Sequence, residues 1–159
     1  MDTDIHWYAL RIFWNRVERI KDVLDSRGIE YYAQNILPSY VFIHTNLAAV
    51  LKLRSDEWQN LYVYSDRSEE GNKAPVVVPD KEMEIFRIVT SAGDPGLKFL
   101  GNDPEQYRQG DKVRVTDGPF KGAEGYIKRI KKDRRLVVTI SGVAAIATSF
   151  IPPELLEKV

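Results

Sequence analysis

At 159 residues and 43% hydrophobic content, the chain can hold one ordinary domain or two small ones. It has no cysteine, which excludes a disulfide framework and a thiolate metal site, and only His6 and His44 remain for imidazole chemistry. The formal net charge of +0 hides a split: residues 1–107 carry 12 Lys+Arg against 17 Asp+Glu, and residues 108–159 carry 11 against 6.

Opposite halves suggest two domains with different partners, or domains that attract each other; a chance spread over solvated surface is the other reading. Each histidine reads as a half-exposed strand residue rather than a ligand. No apolar run approaches the ~20 residues that span a bilayer, and the N-terminus lacks a signal-type block, so no membrane association and a cytoplasmic location are expected.

Ile5 to Phe13 alternates and is rich in aromatics, as a strand should be. Asn15 is suited to cap a helix in which Val17, Ile20, Val23 and Leu24 share a face and Gly28 is the stop. Strands are expected at Ile29–Ala33, Tyr40–His44 and Leu61–Tyr64, with Asn46 capping a helix to about Arg54. Ser65 to Lys73 reads as a loop, Val76–Val78 as a short extended piece, and Asp80 as the start of a helix that turns Met83, Phe86 and Ile88 inward. The order predicts an α+β sandwich of the ferredoxin-like kind, an antiparallel sheet with helices. Residues 93–107 are dense in turn formers and read as a linker, though Leu97, Phe99 and Leu100 favour partial docking. The last fifty or so residues alternate in short strands, at Lys112–Thr116, Glu124–Ile130, Arg135–Ile140 and Val143–Thr148, and predict a small all-β SH3-like barrel. The expected division is 1–92, a 93–107 linker, and 108–159.

The segment GDKVRVTDGPFKGAEGYI, from Gly110 to Ile127, joins two alternating runs through a tight turn. Val113 and Val115 mark the first strand; Gly118 and Pro119 turn the chain; Phe120, Gly122 and Gly125 follow. This segment resembles the KOW motif. With the WYALRIF strand and the LPSYVFI strand start, the chain resembles the NusG family along nearly its whole length. That resemblance implies an NGN domain that binds the RNA polymerase clamp helices and suppresses pausing or termination. It implies a KOW domain that recruits Rho or a small-subunit ribosomal protein. The protein would be a monomer without cofactor and not an enzyme. Gln34 to Leu37 is short where housekeeping members carry a basic insertion, and Ser141 and Val143 replace an aromatic and an arginine. Both departures favour a specialised paralogue of the RfaH or UpxY kind, serving long operons such as those for surface polysaccharides.

On this reading Trp7, Arg11, Leu37, Pro38, Tyr40 and Phe42 form the polymerase-binding surface. Tyr40 and Phe42 share a strand face, so they are either an exposed patch or core. Trp14, Asn15, Arg16 and Arg19 at the first helix would meet non-template DNA or nascent RNA, through phosphate contacts and base stacking; a solvated helix face with local ion pairs is the other reading. The run Lys128, Arg129, Lys131, Lys132, Arg134 and Arg135 either contacts nucleic acid or is a charged turn that keeps a small domain soluble.

Two rivals stand beside this. One is a KOW-type RNA-binding protein of translation or ribosome assembly; the acidic balance of residues 1–107 weighs against it. The other is an enzyme; Asp80, Glu82 and Glu84 are close together but suit the acidic first turn of a helix, and no nucleophile–base set or phosphate loop is present.

Overall fold

In β1 (His6–Ile12) successive side chains alternate, so Tyr8, Leu10 and Ile12 share one face and Trp7, Ala9 and Arg11 the other. The computed structural model describes residues 4–66 and 74–159. They form two compact units, Met1–Asp80 and Lys81–Val159, both built on antiparallel sheets, with three α-helices in all among the described residues.

In the first unit β1 is central. β3 (Tyr40–Thr45) pairs along its length, with Ala9 opposite Phe42 and Arg11 opposite Tyr40. On its other edge β1 meets β4 (Leu61–Val63) through Leu10–Ile12 and β5 (Val77–Val78) through Trp7 and Tyr8. β2 (Glu30–Tyr32) pairs with β3, giving the order β2-β3-β1-β4. Two helices, α1 (Val17–Ser26) and α2 (Leu47–Asp56), bury Ile20, Leu24, Val50 and Leu53 against Tyr8, Leu10, Ile12, Val41 and Ile43 in one core. Each fully buried aliphatic side chain there contributes about 1.5–3 kcal/mol.

Asn46 caps α2 as its sequence predicts, its Oδ1 accepting from the Ala49 N–H at 2.9 Å. α1 differs. Arg16, not Asn15, is the N-cap, and no side chain caps the helix. Trp14 and Asn15 both take left-handed backbone, at φ 59° and 56°, a conformation that costs about 1–2 kcal/mol for an L side chain. The expected loop over Ser65 to Lys73 lies outside the described residues from 67 to 73; Ser65 itself bridges to Pro75.

In the second unit β7 (Lys112–Val115), β8 (Glu124–Ile130), β9 (Asp133–Ile140) and β10 (Ala144–Phe150) fall close to the expected ranges. Two short strands complete the order β11-β7-β8-β9-β10-β6: β6 (Lys98–Phe99) and β11 (Leu156–Lys158). β6 lies within 93–107, the stretch read from the sequence as a linker. It pairs with β10, Leu100 donates its N–H to the Ala145 carbonyl at 2.9 Å, and Gly101 accepts from the Ala145 N–H at 3.1 Å. Leu100 and Tyr107 pack with Ile130 on Val137, Ala145 and Ala147. Burying these apolar groups outweighs the freedom of a tether.

The sequence also assigned 81–92 to the first domain. All but the first residue of α3 (Asp80–Ser91) counts with the second unit, where the Glu82 carboxylate accepts from the Ser141 N–H at 2.6 Å and its Oγ at 3.0 Å. Gly125 admits β9 at close range: a Cβ there would lie 2.2 Å from the Val137 carbonyl oxygen.

Candidate nucleic-acid and partner surfaces

The left-handed pair at Trp14 and Asn15 swings the Trp14 indole off the end of β1 and leaves it 81% exposed. Trp58, just beyond α2, is 68% exposed. The two indoles line one open groove of about 820 Å³ with Phe13, Arg16, Arg19, Gln59 and Asn60. Arg19 is held by the buried carboxylate of Glu57, at 3.2 Å and 3.4 Å from its two oxygens. Asn60 donates to the same carboxylate at 2.7 Å. The Arg16 side chain has no hydrogen bond or ion pair among the described residues. Exposed indoles beside a free guanidinium can stack an unpaired base and hold its phosphate. Trp14, Arg16 and Arg19 were legible in the sequence as one cluster; Asn15 shapes the turn. Trp58 was not, because 44 residues separate it from Trp14 in the chain.

The second candidate is the sheet face opposite the core of the first unit. Register brings Trp7, Ala9 and Arg11 beside His44, Phe42 and Tyr40. The Trp7 indole stacks on His44 with centroids 4.6 Å apart. Tyr40 stacks on Tyr64 at 6.1 Å and accepts a hydrogen bond from the Tyr64 hydroxyl at 3.2 Å. Burial raises the Tyr64 phenol above its ordinary 10.0, and the hydrogen bond to Tyr40 adds to that. Of the expected surface residues, Arg11 and Pro38 are exposed, whereas Trp7, Leu37, Tyr40 and Phe42 expose 6%, 1%, 5% and 1%. Tyr62, opposite Arg11 on β4, is an exposed member the sequence reading missed; its neighbour across the sheet is not visible along the chain.

The third lies on the second unit. Val113, Val115 and Phe120 are buried under β7 and the turn after it. Gly110, Gly118 and Gly122 take positive φ, and the Gly118 N–H is held by the Asp117 carboxylate at 2.8 Å. Pro119 is exposed at the tip.

Residues 109–141 match the KOW motif. The match covers β7, β8 and β9 and includes the Gly110–Ile127 segment. A comparison of the whole chain with the curated proteins found no match. A KOW motif is compatible with NusG-like proteins and with other RNA-binding proteins that carry it.

The basic run falls on the β8–β9 hairpin. Its turn is Lys131–Lys132, with φ 50° and 77°. Lys128 lies over the Tyr107 ring at 4.9 Å, and Arg135 donates to the Gly96 carbonyl at 3.3 Å. Arg129 and Arg134 are exposed and stand opposite each other. Among the described residues, no cluster of His, Cys, Asp and Glu is arranged to hold a metal, and no helix is long and apolar enough to cross a membrane.

Proposed function

We propose that the chain is a transcription elongation or antitermination factor of the NusG kind, with an NGN-type ferredoxin-like unit and an SH3-like KOW unit. It acts as a binding protein, not an enzyme, without a cofactor, as a cytoplasmic monomer. The observation that supports this reading is the KOW match at residues 109–141, joined to a unit whose antiparallel sheet carries α1 and α2 on the face of Tyr8, Leu10, Val41 and Ile43. On the opposite face Trp7, Tyr40 and Phe42 are buried, and Arg11 and Tyr62 form its exposed rim. On this reading the clamp helices of RNA polymerase would meet the exposed Arg11, Pro38 and Tyr62. Holding the clamp in its elongating arrangement is then a population shift by differential binding.

The groove of Trp14 and Trp58 would take an unpaired stretch of non-template DNA or nascent RNA. The KOW unit would recruit Rho or a small-subunit ribosomal protein, while its hairpin contacts nucleic acid. The short Gln34–Leu37 segment, and Ser141 and Val143 flanking Gly142, favour the specialised kind that serves particular long operons.

The test is retention of core RNA polymerase by the full chain and by Arg11→Glu, which alters an exposed rim residue. Retention by the wild type, weakened in the variant with an unchanged melting curve, supports the proposal. A chain that binds RNA but never polymerase moves the function to RNA binding in translation or ribosome assembly.

A further inference from the structure

The six cations of residues 128–135 are not one patch, because the hairpin sorts them onto two faces. Lys128 and Arg135 are directly opposite and are used internally: one covers Tyr107, the other reaches the Gly96 carbonyl and lies 3.8 Å from Asp133. Ile130, on the same face, is packed with Leu100 and Tyr107. The other face carries Arg129 opposite Arg134, with Ile127 opposite Leu136 behind them. Arg129, Arg134, Lys131 and Lys132 have no hydrogen bond or ion pair from their side chains among the described residues. The carboxylates beside them are already paired, Asp133 with Arg135 at 3.8 Å and Asp111 with Lys158 at 3.1 Å.

This arrangement works against the hairpin. Like charges directly opposite on an antiparallel pair are destabilising. A two-residue turn with positive φ at both positions prefers Asn-Gly, yet two lysines fill it at φ 50° and 77°. Strain and repulsion concentrated at one tip, with the nearby Asp133 engaged by Arg135 instead, fit a site completed by an anion. Arg129 and Arg134 also line a cavity of about 330 Å³ floored by Val113 and Ile127. A guanidinium is planar and holds phosphate through two N–H groups at once.

We infer that Arg129 and Arg134 form a phosphate-binding pair for a nucleic-acid backbone, with Lys131 and Lys132 extending it over the tip, and that Lys128 and Arg135 are structural. This rests on the reading that the hairpin contacts nucleic acid and assigns that contact to one of its faces. Nucleic acid is favoured over an acidic protein because Arg129, Lys131, Lys132 and Arg134 are interrupted only by Asp133, which lies 3.8 Å from Arg135 on the hairpin's other face. A uniformly charged backbone needs no such interruption.

The experiment is binding of a labelled single-stranded oligouridylate to the full chain across a salt series. The variants are Arg129→Gln/Arg134→Gln and a control, Lys121→Gln/Lys128→Gln, which removes the same charge from outside this face, at the turn before β8 and on the hairpin's other face. The arginine pair should lose about tenfold or more in affinity, and its salt slope should fall by about 1.4, since a single strand gives ~0.7 per phosphate neutralised. The control should lose little. Arg134→Glu should abolish binding and raise the melting temperature, because it sets an opposite charge across from Arg129. Equal loss in control and arginine variants overturns the assignment to this face but leaves the hairpin as a nucleic-acid contact. No loss in either overturns the hairpin reading itself. A poly-glutamate peptide that binds as tightly as the oligonucleotide makes the site a protein contact. A single-stranded DNA arm run in parallel tells which backbone is preferred.

Discussion

Removing Trp58 should separate binding from stability. Its side chain is 68% exposed and that of Trp14 is 81% exposed, so folding recovers little apolar burial from either; a Trp58→Ala change should alter stability by no more than about 0.5 kcal/mol. If the indole stacks on a base, its loss should cost about 1–3 kcal/mol of binding, on the order of 5- to 150-fold in affinity. Trp14 allows a sharper test, because its backbone sits at φ 59°. Glycine there relieves about 1–2 kcal/mol of left-handed strain and gives back about 0.5–1 kcal/mol in chain entropy. Trp14→Gly should therefore leave stability unchanged or raise it by up to about 1.5 kcal/mol, while weakening binding as Trp58→Ala does. Fluorescence anisotropy with a single-stranded oligonucleotide reads the affinity, and thermal unfolding reads the stability. The double variant should lose less than the sum if both rings hold one base. Full affinity in both single variants, or a melting temperature that falls in step with affinity, would refute the stacking groove.

Two further outcomes follow from the second unit. Gly125→Ala places a Cβ 2.2 Å from the Val137 oxygen, so β8 and β9 must separate locally; thermal unfolding should show a loss of about 2–4 kcal/mol, and a near-normal melting temperature would show that the hairpin absorbs the clash. Glu124 is buried, and a hydrogen bond from Lys81 holds its carboxyl below the ordinary 4.5, against its burial and with help from the charges of Arg114 and Lys112. A depressed carboxylate adds stability that is complete above pH 4.5 and is lost as pH falls through the folded value. Glu124→Gln should accordingly flatten the acid limb of a melting-temperature profile, and an unchanged limb would place that sensitivity elsewhere.

Local pattern was enough for the long elements. The apolar spacing of α1, the Asn46 cap of α2, and the alternation of Val113 and Val115 all report on residues that are neighbours in the chain, where backbone geometry sets which side chains share a face. The same locality made the turn at Gly118 and the basic run visible, and the KOW match at 109–141 follows from that stretch. Three things were decided only by the folded chain. β6 and β11 have two and three residues; strands that short have no period of their own and exist because β10 and β7 offer open edges to them. Trp58 joins Trp14 only because α2 returns the chain to the end of β1. The split of Lys128 and Arg135 from Arg129 and Arg134 depends on pairing register, which is set by what packs on each face of the hairpin and not by the order of charges along it. Contacts between neighbours in sequence leave a periodic trace, and contacts across strands do not.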